Sequence, residues 1–205
     1  MLRGPRMSTI EFLVTGEPFW DRMERAVERV NERLRRTVAI LEKADVPYAV
    51  VGGHAVRAWV VQVDEAAVRT TRDVDILVRA GDFPRLREAM LAGGFHERET
   101  AGLRMFVETP DGSARDAVHV VIAGEMVRAG EYEANPDIEP IVRTSDFRTV
   151  PLETLVKMKL NSFRDKDRVH LRDMIALGMI DESWLARLPD VFRERLAGLL
   201  ADPEG

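Results

Sequence analysis

The chain has 205 residues, a length typical of one domain or of one domain with a small added lobe. It carries 30 Lys and Arg against 35 Asp and Glu, a formal charge of −5, and this acidic balance disfavours a protein that coats duplex DNA. The absence of cysteine excludes disulfide scaffolds, thiolate zinc sites and cysteine nucleophiles. With no signal-peptide pattern at the start and no apolar run near the ~20 residues of a membrane helix, we expect a cytoplasmic protein with no membrane association.

The first third of the chain alternates between helical and strand patterns. Apolar residues recur every three or four positions over residues 21–43 and predict one long amphipathic helix. A short apolar run at residues 48–51 predicts a buried strand, and Gly52-Gly53 follows it directly. A second helix is expected over residues 54–61 and a second strand over residues 73–78.

The rest of the chain predicts a hairpin and then helices. A helix is expected over residues 83–91, and two strand patterns, at 103–108 and 117–122, flank a turn-forming segment at 110–113. Residues 125–149 show no regular period, and helical patterns dominate after Pro151. We therefore expect an α+β fold, a small mixed β-sheet flanked by helices. Its expected parts are an N-terminal helical segment packing on the core (1–45), an α/β core (46–150) and a C-terminal helical lobe (151–205).

The most informative stretch is the approach to the second strand, Arg69-Thr70-Thr71-Arg72-Asp73-Val74-Asp75. In an extended chain alternate residues share a face, so Arg69, Thr71, Asp73 and Asp75 are expected on one side. Two carboxylates that close repel each other, and such a pair commonly persists because a divalent cation lies between them. Mg²⁺ prefers such hard oxygen ligands. The alternative is that Asp73 and Asp75 are solvated residues at the mouth of a strand.

Gly52 and Gly53 stand between the first short strand and the following helix. Glycines at such a turn let backbone N–H groups approach a phosphate, and the positive end of the helix favours the negative charge. His54 follows them, at the expected mouth of a cleft, and is a candidate contact. The alternative is an ordinary turn from strand to helix.

Taken together, the Gly-Gly turn and the Asp73-Val74-Asp75 strand resemble the signature of the DNA polymerase β-type nucleotidyltransferase superfamily. The resemblance is closest to bacterial minimal nucleotidyltransferases and to the nucleotidyltransferase toxins of abortive-infection systems. Those proteins also carry a later helical motif of lysine, arginine and aspartate. Residues that match this later motif are Lys159, Arg164, Lys166 and Asp167.

This resemblance implies a nucleotidyltransferase fold and a Mg²⁺-dependent transfer of a nucleoside monophosphate from an NTP to an acceptor. It further implies that the acceptor is RNA or a protein, that Mn²⁺ can replace Mg²⁺, and that a cognate antitoxin is a partner. Asp73 and Asp75 would hold the metal. The residues expected to bind the nucleotide are Gly52, Gly53, His54, Arg69, Thr71, Lys159, Arg164 and Lys166.

The chain departs from the superfamily at the third carboxylate, which normally completes the metal site and often acts as the base. His119 stands at the matching position, and an imidazole either ligates a metal or accepts a proton near neutral pH. Asp116 is nearby but is expected to face the other side of the strand unless a bulge intervenes, and Glu108, at the end of the preceding strand, is a weaker substitute. An alternative function is therefore a nucleotide- or RNA-binding module that lost catalysis. A purely structural domain would leave the shared polar face unexplained.

Asp167, His170 and Asp173 recur at steps of three on one helix face. Such spacing is compatible with a metal site. The alternative, which we prefer, is that Asp167 pairs with Lys159 or Arg164 and orders the C-terminal lobe.

Overall fold

The computed structural model of the chain describes residues 18–100, 102–128 and 130–202. The long predicted helix is α1 (Phe19–Lys43). Residues 1–17, on which the expectation about a signal peptide depends, lie outside the described residues. After it come β1 (Ala49–Val51), α2 (Gly52–Val60), β2 (Val74–Val78) and α3 (Phe83–Ala92). The remaining elements are β3 (His96–Thr100), β4 (Leu103–Val107), β5 (Val118–Ile122), β6 (Val142–Arg143), β7 (Arg148–Thr149), α4 (Leu152–Ser162), α5 (Asp165–Ala176) and α6 (Asp190–Ala201).

Within these described ranges the strands form a seven-stranded mixed sheet in the order β3-β4-β5-β2-β1-β7-β6. At its centre β2 runs parallel to β5 and antiparallel to β1. The predicted hairpin is present as the antiparallel pair β4 and β5. The mixed sheet with flanking helices confirms the fold class expected from the sequence.

Helices cover both faces of the sheet. Leu34, Val38 and Leu41 of α1 pack with α3 against one face, where they meet inward-facing residues of β2 such as Ile76. Helices α2, α4, α5 and α6 cover the other face in a second apolar cluster that includes Leu77 of β2. Alternate residues of β2 therefore serve two separate cores, which fixes the face on which Asp75 must lie.

The acidic strand begins later than the sequence pattern predicts. β2 starts at Val74, and residues 68–73 before it are irregular, so Arg69 and Thr71 are not strand residues. The strand alternation expected from Arg69 onward was wrong for Arg69, whereas Thr71 still contacts Asp73. A short 3₁₀ turn at Glu65–Ala67 and the side-chain contacts described below hold this approach instead.

No helix among the described residues is long and apolar enough to cross a membrane. The helix α1 reaches the length, but charged residues interrupt its apolar stripe throughout.

Candidate active site

A cleft of about 700 Å³ opens beside the carboxyl end of β1 and the start of β2. Asp73, Asp75 and His119 line it on the sheet side. Residues of α4 and α5 line it on the helical side, and residues of the irregular segments 125–128 and 130–136 line its edge. A cleft of this size accommodates a ligand as large as a nucleotide.

The glycine turn is forced by its neighbours. β1 passes directly into α2, and Gly52 has φ +66°. Residues other than glycine rarely adopt this left-handed backbone conformation. A Cβ at Gly52 would lie 1.8 Å from Oδ2 of Asp75, and a Cβ at Gly53 would lie 2.5 Å from Oγ1 of Thr71. Both glycines are therefore required by the close approach of the acidic segment to the turn.

Asp73 and Asp75 have different electrostatic environments. Burial, and then the negative charge of Asp73, raise the pKa of Asp75. Burial also opposes ionisation of Asp73, but the Lys166 ammonium and the Thr71 hydroxyl outweigh it and lower the pKa of that carboxyl. The Thr71 hydroxyl donates to Oδ1 of Asp73 at 2.9 Å, and Lys166 Nζ donates to Oδ2 at 3.3 Å.

Lys166 thus neutralises part of the negative charge of Asp73. Asp75 remains buried and close to the negative charge of Asp73, which disfavours its ionised form. Among the described residues no three His, Asp or Glu side chains are arranged as a ready metal cage. Two carboxylates on one edge of a cleft nevertheless fit Mg²⁺, which is usually held by one or two carboxylates together with substrate phosphates.

The basic side of the cleft is organised by one buried carboxylate. Asp167 is fully buried and accepts hydrogen bonds from Lys159 Nζ at 2.9 Å, Arg164 Nε at 2.6 Å and the Ser162 hydroxyl at 2.7 Å. Burial opposes its ionisation, but the bonds from Arg164 and the charge of Lys159 hold the pKa of Asp167 well below its usual range. The predicted pairing of Asp167 with Lys159 or Arg164 is confirmed with both partners.

This arrangement separates the predicted basic residues into two kinds. Lys159 is 4% exposed and is held by Asp167, so it is part of the wall and not a mobile cation. Arg164 and Lys166 keep 37% and 48% of their side chains exposed and face the cleft. Phe163, in a left-handed conformation, makes the sharp turn from α4 into α5 that brings these side chains together.

Four of the eight residues predicted to bind the nucleotide do not line the cleft. Gly53 and Thr71 pack against each other beside it, and Arg69 and His54 lie elsewhere. Arg69 donates to Asp173 through Nε at 2.5 Å and Nη2 at 2.9 Å and does not line the cleft. His54 is 2% exposed, with no hydrogen-bond partner at Nε2. Burial, followed by the charge of Arg57, lowers the pKa of His54 to about 4. His54 therefore lies beneath the turn and not at the mouth of the cleft.

His119 lies where the sequence pattern expects it, beside Asp75. The two residues are register partners across the parallel strands β5 and β2. The neighbouring carboxylates do not replace it: Glu108 binds Arg33 at 2.9 Å and Asp116 binds Arg72 at 3.1 Å. Neither of them lines the cleft.

The face of α5 that carries Asp167, His170 and Asp173 does not form a metal site among the described residues. Asp167 is paired with Lys159 and Arg164, and Asp173 is paired with Arg69. Burial and then the charge of Lys159 lower the pKa of His170 to about 4, and its Nδ1 has no hydrogen-bond partner.

Sequence reasoning missed the residue that fixes the edge of the cleft. The Asn161 side chain accepts from the backbone N–H of Tyr132 at 2.8 Å and donates to the carbonyl of Glu133 at 2.7 Å. It thereby ties the segment 130–136 to α4. No sequence signal distinguishes Asn161, because a single asparagine in a helical pattern has no feature that predicts a contact 28 residues away.

Comparison of the structure with solved structures identifies the class of fold. An antigenic nucleotidyltransferase-like protein from Paracoccidioides brasiliensis aligns over 86% of this chain and 89% of its own length, with a TM-score of 0.53 and 16% identity. The antibiotic-resistance factor ANT(2'')-Ia aligns over 87% of this chain and 88% of its own, with a TM-score of 0.45 and 14% identity. No protein-family model and no curated protein matches the sequence.

The chain therefore has a nucleotidyltransferase-like fold, as its motifs predict. The similarity to the Paracoccidioides protein carries this conclusion and extends over most of both chains.

Proposed function

We propose that the chain is a metal-dependent nucleotidyltransferase that moves a nucleoside monophosphate from an NTP onto an acceptor. The observation that carries the proposal is the opposition of two kinds of charge across one cleft. Asp73 and Asp75 stand on the sheet side, and the exposed cations of Arg164 and Lys166 stand on the helical side. A triphosphate with its cation satisfies both sides at once.

Each side of the cleft then has a separate task. Asp73 and Asp75 would hold Mg²⁺ or Mn²⁺, which neutralises charge on the triphosphate when bound. The start of α2 at Gly52 and Gly53 would present backbone N–H groups to phosphate oxygens. Lys166 is already within 3.3 Å of Asp73 and is able to reach the phosphates from there.

In the transfer, an acceptor oxygen attacks the α-phosphorus, the bond to the β-phosphate oxygen breaks, and pyrophosphate leaves. Arg164 and Lys166 would stabilise the negative charge on the departing pyrophosphate. The proton of the acceptor would pass to Asp75, a carboxylate that lines the cleft.

The acceptor we propose is RNA or a protein, in keeping with the toxin-like motifs, and a cognate antitoxin would then be a partner. The rim of the cleft carries Arg104 and Arg128 together with Glu125, Glu131 and Glu133. Because these charges are mixed, the test must offer both kinds of acceptor.

A second candidate is a nucleotide- or RNA-binding module of the same fold without catalysis. The observation in its favour is that Glu108 and Asp116 are bound by Arg33 and Arg72, so neither supplies a third carboxylate to the cleft. This candidate predicts binding of NTP and metal without transfer.

The experiment is label transfer from each α-labelled NTP, with Mg²⁺ or Mn²⁺, to total bacterial RNA and to a bacterial protein extract. The control is Asp73→Asn with Asp75→Asn, which keeps the shape of both side chains and removes their charge. Label that appears on RNA or protein, and disappears in the control, supports the transferase. Metal-dependent NTP binding without transfer supports the binding module, and the absence of both contradicts both proposals.

A further inference from the structure

His119 faces the same edge of the cleft as the carboxylate pair. It is the register partner of Asp75 on the adjacent parallel strand, so the two Cβ atoms are about 5 Å apart. Its strand neighbours Val118 and Val120 pack into the apolar cluster on the opposite face of the sheet. The imidazole is therefore directed to the side of the sheet that carries Asp75 and lines the cleft.

A backbone contact sets the tautomer of the neutral imidazole. Nε2 of His119 lies 2.8 Å from the carbonyl oxygen of Ala114. A carbonyl only accepts, so in the neutral imidazole Nε2 carries the hydrogen and donates it, and Nδ1 keeps a free lone pair. A histidine that donates one ring N–H to a backbone carbonyl is the usual arrangement of a metal-binding imidazole.

The turn that supplies this carbonyl is itself held in place. Ala114 begins a short 3₁₀ turn, Ala114–Asp116, in which the Ser113 hydroxyl accepts from the N–H of Arg115. Asp116 at its end binds the guanidinium of Arg72. The Ala114 carbonyl is thus a fixed partner, and the tautomer of His119 does not depend on a mobile group.

We propose that Nδ1 of His119 is the third ligand of the cation site, and that this donor set selects Mn²⁺ over Mg²⁺. The inference rests on the proposed function in that it takes Asp73 and Asp75 as the other two protein ligands. Imidazole nitrogen favours transition-metal ions, whereas Mg²⁺ is best served by oxygen ligands alone. Glu108 and Asp116 are bound by arginines, so neither of these two carboxylates completes an all-oxygen set.

Among the described residues these three side chains are not gathered into a metal site, so the cation must displace the Lys166 ammonium from Asp73 and draw them together. The Lys166 contact is long, at 3.3 Å, and the lysine side chain is 48% exposed, so its displacement leaves no buried charge behind. Lys166 is then free for the phosphates.

The experiment is pulsed electron paramagnetic resonance of Mn²⁺ on the full chain, with a non-hydrolysable NTP analogue, together with titrations of Mn²⁺ and Mg²⁺. The wild type is expected to show the coupling of one directly bound imidazole nitrogen. His119→Asn is expected to lose that coupling and to weaken Mn²⁺ binding by about tenfold or more. His119→Asp is expected to lose the coupling and to bind Mg²⁺ more tightly than the wild type does.

His96→Asn is the matched control, because His96 is an exposed residue of the edge strand β3 and does not line the cleft. It should leave the coupling and both affinities unchanged. Bound Mn²⁺ without nitrogen coupling, or coupling that survives in His119→Asn, overturns the inference, as does a failure to bind Mn²⁺. If label transfer is nevertheless found with Mg²⁺ in the same preparation, only the role of His119 is lost and the transferase stands.

Discussion

A Cβ atom at Gly52 would lie 1.8 Å from Oδ2 of Asp75. The first strand, the glycine turn and the acidic strand are therefore built as one unit, in which the carboxylate occupies the space that a side chain would take. Val51, just before the turn, is the register partner of Asp75, which brings the two segments together. The phosphate-binding turn and the metal-binding carboxylate that we propose depend on the same contact.

This relationship predicts that Gly52→Ala displaces Asp75 and abolishes transfer. The matched control is Gly178→Ala, because Gly178 has nearly the same φ, +69° against +66°, but has no atoms within 4 Å of the added Cβ. Both variants incur the cost of a left-handed alanine, about 1–2 kcal/mol of unfolding free energy. Only Gly52→Ala should lose label transfer under conditions where both variants remain folded. Equal activity in the two variants would contradict the importance of the contact.

The buried Asp167 predicts a large loss of stability on truncation. Asp167→Ala leaves the Lys159 ammonium buried without its partner, and removing one member of a buried ion pair costs about 3–5 kcal/mol. Glu153→Ala removes the exposed partner of Lys157 on the same helix and is expected to cost less than about 1 kcal/mol. Urea unfolding of both variants measures the difference, and similar losses would mean that the Lys159–Asp167 pair is not buried in solution.

The elements that the sequence predicted best were those with a strong apolar period, such as α1 and β2. β3 (His96–Thr100) was missed because all five of its residues are exposed and polar, so no alternation of apolar residues marks it. Lys159 was expected to bind the nucleotide, but it is buried against Asp167. That burial depends on the turn at Phe163, which folds α5 back on α4 and has no local signature.

In the candidate site, too, the features set by local sequence were predicted and those set by distant contacts were not. The Asp73-Val74-Asp75 and Gly52-Gly53 motifs predicted two segments that do line or border the cleft, since local sequence determines both. Arg69 was predicted to share their face by strand periodicity, but the strand begins only at Val74. A partner on a distant helix, Asp173, then decides its position.

One buried histidine, His54, and one partly buried histidine, His170, predict a loss of stability in acid. Burial lowers the pKa of both His54 and His170 to about 4, below the ordinary value of 6.5. Between these values the unfolded chain binds protons that the folded chain does not. The unfolding free energy should therefore fall as the pH drops from about 6.5 towards about 4, by up to about 1.4 kcal/mol per pH unit for each histidine.

Chemical unfolding measured at intervals between pH 7 and pH 4.5 tests this expectation. His170→Gln should reduce the slope, because one of the two neutral imidazoles is removed. His96→Gln, at an exposed position, should leave it unchanged. A stability that stays flat across this range in the wild type would show that the two imidazoles are not buried as neutral groups.

Lys166 and Lys157 both line the cleft, but only Lys166 is predicted to serve the nucleotide. Lys157 is held by Glu153 at 2.8 Å, whereas the partner of Lys166 is Asp73, the carboxylate that the cation is proposed to take over. Lys166→Met should therefore weaken NTP binding in the presence of Mn²⁺ by about tenfold or more, the loss of one charge-assisted hydrogen bond. It should also raise the pKa of Asp73, because the main group that lowers it is gone. Lys157→Met should change neither quantity, and Lys166→Arg should recover part of the binding. Titration with a fluorescent NTP analogue measures the NTP affinity of all three variants. Equal losses of affinity in Lys166→Met and Lys157→Met would mean that Lys166 acts only through the overall charge of the cleft.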